Sequence, residues 1–244
     1  MKDNEYIFVD KCVFFPEHGI LTIGDLHVGY EHSLRKKGFL IPESQVRETI
    51  QNLEKIISEI KSRNYKLKKI VFLGDVKHFF NYEWKEKHEF NKILGFLREY
   101  VKDKNVIIIK GNHDTFEFHE RKMKDFHIEG EIAFLHGHKS FPEVFDKKIK
   151  TIVMGHTHPS VTISDKQKIK RERYKCFLVG KFRNKELIIV PSFIGIHEGT
   201  SVNDSKYYPE EDFSIISYKK IMNFRAFVVD ENGVVLDFGK VKNL

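Results

Sequence analysis

Cysteine is scarce in this sequence, and its scarcity argues against a fold held together by disulfides. Only two cysteines, Cys12 and Cys176, occur among the 244 residues. Neither belongs to a C-x-x-C pair, and neither stands beside a base that would make it a thiolate nucleophile. Small secreted domains carry several cysteine pairs, so we expect this protein to occupy a reducing compartment.

Long apolar stretches are also absent. No run approaches the roughly 20 apolar residues that cross a bilayer as a helix. The first residues, MKDNEYIFVD, lack the apolar segment of a signal peptide. No solenoid-type repeat or low-complexity tract interrupts the sequence. These absences predict a cytoplasmic protein without a membrane partner.

Basic residues outnumber acidic ones by 42 to 35, which gives a formal net charge of +7 with neutral histidine. This surplus is compatible with an acidic partner, although a basic balance alone does not identify one. The run KQKIKRERYK (166–175) carries six of the basic residues. It has two interpretations: a guide for a phosphate backbone, or the solvated flank of a hairpin.

The first half of the sequence alternates predicted strands and helices. Apolar residues recur every three or four positions from Val46 to Ile60, which predicts one apolar helix face. We place that helix between Pro42 and Asn64, with Pro42 in its first turn, and a second helix over 82–101. The predicted β segments are a hairpin at 6–15 and strands at 20–23, 69–74 and 105–111. Such alternation favours a mostly parallel sheet covered by helices.

The second half of the sequence is rich in β-like segments. They read EIAFLH, TIVMGH, SVTIS, YKCFLVGKF, KELIIVPSF, FSIISY, FRAFVVD and GVVLDFG. We therefore predict an α/β fold in which two sheets face each other as a sandwich with helices outside. The alternative is an α/β domain followed by a separate all-β domain. Because no Pro- or Ser-rich linker marks a boundary, a single domain over residues 1–244 is favoured.

Polar residues follow five of the apolar runs, close to a glycine. The five segments are GILTIGDLH, KIVFLGDVKH, VIIIKGNHD, EIAFLHGH and TIVMGHTHP. In open α/β sheets, ligands bind outside the carboxyl ends of the strands. If the five strands are neighbours, their polar residues converge at one place. The candidate site residues are Asp25, His27, Asp75, Asn112, His113, His136, His156 and His158.

Carboxylates and imidazoles packed together would repel one another when charged and would lose solvation when buried. Metal cations remove both difficulties, because ionised aspartate and neutral histidine are natural ligands. The inventory exceeds the needs of one ion and suits two ions roughly 3.5–4 Å apart that share a carboxylate. We expect two divalent transition-metal ions, with manganese as the first candidate and iron, zinc, nickel and cobalt as alternatives.

The motifs GDLH, GDVKH, GNHD, LHGH and GHTH, in this order, resemble the five motifs of the calcineurin-like metallophosphoesterases. The protein Ser/Thr phosphatases of that superfamily continue the second motif as G-D-x-x-D-R-G, whereas this chain has His78 and no following arginine. In this respect the sequence is similar to the small SbcD-related phosphoesterases, including the DNA-ligase-associated group. The resemblance implies a two-sheet α/β sandwich.

The resemblance also implies which residues bind metal. One ion would be held by Asp25, His27 and His158, the other by Asn112, His136 and His156, and Asp75 would bridge them. A hydroxide between the ions would attack phosphorus in line.

Three further residues receive roles from the resemblance. His113 would stabilise the transition state or protonate the leaving oxygen. Asp114 would orient His113 through a carboxylate–histidine hydrogen bond, and His78 would help to hold the phosphate. His138 is expected beside the site or in solvent, and the sequence leaves open whether IHEG (196–199) reaches the cleft.

These residues predict an enzyme, a metal-dependent phosphoesterase. The main hypothesis is a phosphodiesterase acting on nucleic acid or a nucleotide. A phosphomonoesterase or nucleotide phosphatase with the same site is the second hypothesis, and a non-catalytic scaffold of the same fold is the third.

Overall fold

The computed structural model describes residues 5–79, 84–115, 122–165, 170–204 and 214–244. Within these ranges it contains fourteen β-strands and four α-helices. The strands are β1 (Ile7–Val9), β2 (Cys12–Phe15), β3 (Ile20–Ile23), β4 (Lys69–Phe72), β5 (Val106–Ile108), β6 (Phe126–Glu129), β7 (Ile132–Leu135), β8 (Thr151–Met154), β9 (Pro159–Ser164), β10 (Arg171–Phe182), β11 (Lys185–Ile189), β12 (Thr200–Ser201), β13 (Arg225–Val229) and β14 (Val235–Lys240). The helices are α1 (Tyr30–Lys36), α2 (Gln45–Ser62), α3 (Trp84–Leu97) and α4 (Tyr218–Ile221).

The first sheet has the strand order β1-β2-β3-β4-β5. Strands β1, β2 and β3 pair antiparallel as a meander, whereas β3, β4 and β5 pair parallel. The register aligns Ile23 with Phe72, and Phe72 with Ile108. The carboxyl ends of these three parallel strands therefore lie level at one edge of the sheet.

The second sheet has the order β12-β9-β10-β11-β8-β7-β6, and β13 pairs with both β10 and β14. Strands β7, β8 and β11 are parallel, and their register aligns Leu135, Met154 and Ile189. As in the first sheet, the carboxyl ends of the parallel strands lie level. The loops that follow them hold the remaining candidate residues.

Side chains alternate across the buried strands, and both faces are covered. In β4, Ile70 and Phe72 pack with the cluster that contains the buried residues of α2 and α3, whereas Val71 packs between the sheets. In β8, Val153 belongs to that inter-sheet cluster, and Ile152 packs on the outer side. Strands covered on both faces are apolar at every position. The predicted two-sheet sandwich with helices outside is confirmed.

Helix α2 confirms the predicted apolar face, but its start differs from the prediction. Leu53, Ile57 and Ile60 are fully buried. The helix begins at Gln45, so Pro42 lies ahead of the first turn rather than within it. The physical reason is tertiary, because the buried Glu31 accepts hydrogen bonds of 2.9 Å from the backbone N–H groups of Ser44 and Gln45.

Four short elements differ from the sequence prediction. Helix α1 and strands β6 and β12 were not predicted. The segment FSIISY (213–218) was predicted as a strand, and this is wrong for its described part: 214–217 forms no strand and α4 begins at Tyr218. Ile216 and Ile221 are both buried in the outer cluster of the second sheet, a spacing that fits a turn into a helix rather than a strand.

The two cysteines agree with the expected absence of disulfides. Cys12 and Cys176 are both buried and unpaired. Burial raises the pKa of each thiol, so neither is an activated nucleophile. Among the described residues, no helix combines the length and the apolar character needed to cross a bilayer.

Candidate metal centre

The loops after five parallel strands bring the candidate residues together at one end of the sandwich. Three of these strands, β3, β4 and β5, belong to the first sheet, and β7 and β8 belong to the second. In chain order the residues that they present are Asp25 and His27, then Asp75, then Asn112 and His113, then His136, and finally His156 and His158. The candidate residues converge at one place, as the strand-end pattern predicted, and this place lies where the two sheets meet.

The first group of potential ligands consists of Asp25, His27 and His158, whose ligand atoms all lie within 4.8 Å of one another. Nε2 of His158 lies 3.3 Å from Nε2 of His27 and 3.3 Å from Oδ1 of Asp25. The backbone N–H of His156 donates to Oδ2 of Asp25 at 3.1 Å. This last bond fixes the carboxylate of the first sheet to a loop of the second.

The second group consists of Asp75, His136 and His156. Nε2 of His136 lies 3.1 Å from Nδ1 of His156 and 3.5 Å from Oδ2 of Asp75. Oδ1 of Asn112 lies 3.0 Å from the same Nε2 atom. Oδ2 of Asp75 is also 3.8 Å from Nε2 of His27, so it lies between the two groups.

The electrostatics of the site favour ionised Asp25 and neutral His27, the forms that bind a metal, and place a proton on His136. Burial opposes ionisation of Asp25, but the imidazoles of His158 and His136 hold its pKa well below the usual range. Burial and the neighbouring His158 lower the pKa of His27 to about 3. Burial also opposes a charge on His136, yet the carboxylates of Asp25 and Asp75 raise its pKa to about 9. A cation between these groups would take the place of that proton.

The donor atoms fit divalent metal ions. Nδ1 of His136 lies 2.9 Å from the backbone oxygen of Leu73, which can only accept, so Nδ1 carries the proton and Nε2 is the donor atom that faces Asn112 and His156. Among the described residues, the buried Nδ1 of His27 has no hydrogen-bond partner. Carboxylate, imidazole and amide donors are the set that manganese, iron, zinc, cobalt and nickel accept.

The backbone is strained at four of the candidate ligands. His27, Asp75, His156 and His158 have φ values of 44°, 45°, 69° and 44°, in the left-handed region that non-glycine residues rarely adopt. They make up half of the eight non-glycine residues with positive φ among the described part of the chain. Such strain is typical of functional sites, because the surrounding structure must hold it in place.

Two glycines leave the space that the carboxylates occupy. A Cβ atom on Gly111 would lie 2.0 Å from Oδ1 of Asp75, and one on Gly155 would lie 2.5 Å from Oδ2 of Asp25. Any larger residue would therefore displace a carboxylate. This explains the glycine in two of the five motifs, GNHD and GHTH.

His113 and His78 lie beside the first group. The ring centroids of His27 and His113 are 4.9 Å apart, and His27, His78 and His113 form a third group of nitrogen donors within 4.8 Å. Nδ1 of His113 lies 2.6 Å from the backbone oxygen of His78, and its backbone N–H donates to Oδ1 of Asp75 at 2.8 Å. The partner at Nδ1 is thus a carbonyl group rather than the predicted Asp114.

Asp114 is fully buried and binds the main chain of its own loop and that of the loop after β4, where the backbone N–H of Lys77 donates to it at 3.4 Å. It accepts a hydrogen bond of 2.9 Å from the backbone N–H of Gly111. Burial and the nearby carboxylate of Asp75 raise the pKa of Asp114 to about 6. The side chain braces the turn that carries Asn112 and His113.

Two histidines outside the predicted ligand set also approach the site. The ring of His138 lies 5.1 Å from that of His136, beside the second group as expected. The ring of His197 lies 5.7 Å from that of His158 and 5.9 Å from that of Tyr30. The late loop at 196–199 therefore reaches the cleft, which the sequence had left open.

Three polar side chains that the sequence reasoning missed hold the site loops. Gln45 donates to the backbone oxygens of Leu26 and His27 at 3.0 and 2.9 Å. The other two are Glu86, which binds the loop after β4, and Lys175, which binds the loop after β11. They lie on α2, α3 and β10, away from every motif. Charged or amide residues in helices usually face solvent, so no local signal distinguishes them.

The basic segment 166–175 lies partly outside the described residues, which resume at Lys170. Lys170 is paired with Glu172, and Arg171 and Arg173 lie 3.9 and 3.8 Å from acidic side chains of the neighbouring 198–204 segment. This pairing agrees with a solvated flank, and a contact with a phosphate backbone stays a prediction.

Solved structures of a nuclease, a Vps29 protein and a predicted phosphoesterase are similar to this chain. The nuclease MPE of Pseudomonas putida is 16% identical over 95% of this chain and 94% of that chain, with a TM-score of 0.60. Zinc-bound Vps29 of Entamoeba histolytica is 14% identical over 90% and 99%, with a TM-score of 0.38. A predicted phosphoesterase of Streptococcus pneumoniae is 10% identical over 91% and 97%, with a TM-score of 0.36. At such identities the nuclease comparison bears on the fold alone. No curated protein matches the chain.

A sequence model of one family does match. The family is described as calcineurin-like phosphoesterase, and the match covers residues 18–210. This range contains all the candidate site residues and most of both sheets. A match over most of the chain, together with the two-sheet fold and the five strand-end motifs, shows that the chain belongs to the calcineurin-like phosphoesterase family.

Proposed function

We propose that the protein is a two-metal phosphodiesterase that hydrolyses phosphodiester bonds of nucleic acid or nucleotides. The observation that carries this proposal is the position of Oδ2 of Asp75, 3.8 Å from Nε2 of His27 and 3.5 Å from Nε2 of His136. One carboxylate thus reaches both ligand groups, as a bridging ligand must.

The proposed ligands divide between the groups. Asp25, His27 and His158 bind one ion, Asn112, His136 and His156 bind the other, and Asp75 binds both. When bound, two divalent ions would activate a water molecule and neutralise charge on the phosphoryl oxygens. We also propose that manganese is the native metal, that the protein is more closely related to SbcD than to the protein phosphatases, and that it is cytoplasmic.

His113 is proposed as the residue that protonates the leaving oxygen. The backbone oxygen of His78 can only accept, so the proton at Nδ1 of His113 is committed to that bond. A proton delivered to the leaving group must therefore come from Nε2 of the imidazolium form, and this transfer leaves the neutral ring with its proton on Nδ1. General acid catalysis of this kind contributes about 10²–10⁴-fold.

His78 is proposed to hold a phosphate oxygen by hydrogen bonding rather than by charge. Burial and the neighbouring His113 lower the pKa of His78 to about 4, so the ring is neutral at physiological pH. The nearby Lys77 is turned away, with Nζ donating to the backbone oxygen of Phe79 at 2.8 Å. A neutral imidazole suits a diester, which carries one negative charge, better than a monoester, which carries two.

A pair of chromogenic substrates tests the proposal. Metal-free protein is reconstituted with Mn²⁺ and assayed on bis(p-nitrophenyl) phosphate and on p-nitrophenyl phosphate. We expect faster turnover of the diester and no turnover with chelator. Asp75→Asn should abolish both activities, whereas Asp103→Asn, the same change at an exposed residue paired with Arg98, should abolish neither. Faster monoester turnover would assign a phosphomonoesterase, and no metal-dependent turnover of either ester would favour a scaffold.

A further inference from the structure

Glu86 is a buried carboxylate that no motif contains. It lies in the first turn of α3 and is only 2% exposed. Its Oε1 atom accepts hydrogen bonds from the backbone N–H groups of His78 and Phe79, each 2.8 Å long. A buried carboxylate is costly unless its hydrogen bonds are satisfied, so its position in an otherwise apolar helix face requires a reason.

The loop after β3 is shaped to admit the side chain of Glu86. Gly29 has a φ of 94°, and a Cβ atom at this position would lie 2.7 Å from both Cγ and Oε1 of Glu86. The backbone N–H of His78 also donates to the oxygen of Val28 at 3.0 Å. The loops after β3 and β4 are therefore packed around the same carboxylate.

His78 is the single residue that connects Glu86 to His113. Its N–H group is held by Glu86, and its carbonyl oxygen accepts the hydrogen bond from Nδ1 of His113 at 2.6 Å. Lys77 fixes the following carbonyl group, that of Phe79, at 2.8 Å. The direction of the His78 carbonyl group depends on this loop conformation, and the orientation of the His113 ring depends on that carbonyl group.

We propose that Glu86 is a positioning residue for His113: it holds the His78 loop so that Nδ1 of His113 donates to the His78 oxygen and Nε2 faces the leaving group. This inference rests on the proposed phosphodiesterase function. It identifies a residue outside all five motifs, on an element of the first sheet's outer layer, that acts on the proton donor without contacting substrate.

The experiment compares two diesters that differ in their need for a proton. Bis(p-nitrophenyl) phosphate releases a stable phenolate, whereas the dinucleotide thymidylyl-thymidine must release a poorly leaving alkoxide. In the manganese-loaded protein, Glu86→Met should lower kcat on the dinucleotide about tenfold or more, with little change on the activated diester and KM within about twofold. Glu86→Gln, which retains an accepting oxygen, should restore most of this loss. Glu89→Met, the same change one turn further along α3, should behave like the wild type.

A double-mutant cycle and an NMR measurement complete the test. His113→Ala should show the same selectivity between the two diesters, and adding Glu86→Met to it should cause no further loss. Measured on the neutral ring, imidazole ¹⁵N shifts should report His113 as the Nδ1–H tautomer in the wild type and as a mixture in Glu86→Met. Metal content and thermal unfolding, measured in parallel, detect a general effect on the fold.

Several outcomes would overturn the inference. Equal losses on both diesters, a loss in KM alone, or an additive effect with His113→Ala would refute positioning. If Glu86→Met does not fold, Glu86→Gln carries the test, and we then expect the same selectivity at a smaller size, about two- to fivefold. If the wild type hydrolyses neither diester, the proposed function fails, and an unchanged His113 tautomer in the Glu86 variants would then reject the positioning role independently.

Discussion

The Nε2 atoms of His27 and His158 lie 3.3 Å apart, although the two residues are separated by 131 positions in the sequence. Two ring nitrogens facing each other at this distance require a proton or a cation between them. Burial and the proximity of His158 lower the pKa of His27 to about 3, which keeps this ring neutral, the form that binds a metal ion. The pair is thus arranged for a metal ion, and metal should contribute to the stability of the folded state.

Metal addition should raise the melting temperature. A ligand that binds only the folded state at 100 times its Kd adds about 2.7 kcal/mol, and for a domain of this size that corresponds to roughly 5–10 °C. Differential scanning calorimetry of chelator-treated protein with and without Mn²⁺ measures the shift. Asp25→Asn should remove most of it, because Asp25 is the only carboxylate in the first ligand group.

The matched control for this prediction is Asp103→Asn. Asp103 is exposed and pairs with Arg98, away from the site. This variant should keep the full metal-dependent shift. A shift of the same size in Asp25→Asn and in the control would show that the added metal binds elsewhere.

Gln45 should matter to the site although it is not a ligand. Its side chain donates to the backbone oxygens of Leu26 and His27 and accepts from the N–H of Gly29 at 3.2 Å. Gln45→Leu leaves these groups without their partner, so the loop that carries His27 loses its fixed conformation. Loss of such support typically costs 10–100-fold in metal affinity or activity. Isothermal titration calorimetry with Mn²⁺ measures the change in metal affinity.

The same substitution at another position of α2 provides the comparison. Gln51 is an exposed residue of this helix. Gln51→Leu should leave the Mn²⁺ affinity unchanged. Equal affinities for the two variants would mean that the hydrogen bonds of Gln45 do not support the site.

Two glycine substitutions should have opposite effects. A Cβ atom on Gly111 would lie 2.0 Å from Oδ1 and 2.3 Å from the backbone nitrogen of Asp75, so Gly111→Ala must displace the proposed bridging residue. We expect a loss of about 1–3 kcal/mol in unfolding free energy, as for other overpacked sites, and loss of the metal-dependent shift. Urea unfolding with and without Mn²⁺ measures both.

Gly95 is the comparison for Gly111. It lies in α3 with open space around the position of a Cβ atom. Gly95→Ala should increase the unfolding free energy by up to about 1 kcal/mol, because alanine favours the helix over glycine. If Gly111→Ala were as well tolerated as Gly95→Ala, the close packing at Asp75 would be refuted.

The central strands of the sheets could be predicted because they are buried on both faces. Val71 packs between the sheets and Ile70 packs under the helices, so β4 is apolar after Lys69. Helix α1 offers no comparable signal. Its position depends on Glu31, which binds the start of α2 at Ser44 through both its backbone N–H and its hydroxyl group. That contact joins residues 13 positions apart and leaves no periodic pattern.

The candidate ligands could be predicted from the sequence, but the groups that hold them could not. Glycine before aspartate or histidine at a strand end is a local pattern, and it includes Asp25 and His156. Gln45 and Glu86 lie on helices outside the motifs and bind backbone atoms that are 19 and 8 positions away in the sequence. Every residue has the same backbone groups. A side chain that binds backbone atoms therefore has no partner side chain that could be recognised in the sequence. Only the fold identifies these contacts.

Lys175 should make stability depend on pH. Its Nζ atom donates to the backbone oxygens of Ser192 and Ile194 beneath the loop that contacts Asp25. Burial and the nearby Lys11 lower the pKa of Lys175 to about 7, from an ordinary value of 10.5. Below about pH 7 the ammonium group is charged in both states, and the cost of burying it is fully present. Between that value and 10.5 the unfolded chain keeps a proton that the folded protein has lost.

Because the unfolded state binds more protons in this window, the unfolding free energy should rise with pH, by at most about 1.4 kcal/mol per pH unit. Lys175→Met should remove this contribution to the slope of the unfolding free energy against pH, whatever its effect on the unfolding free energy at a single pH. Urea unfolding of the metal-free protein at several values from pH 6.5 to pH 10 measures both slopes, and other titrating groups cancel in their difference. Parallel slopes for the two proteins would mean that Lys175 stays protonated in the folded state, held by its carbonyl partners.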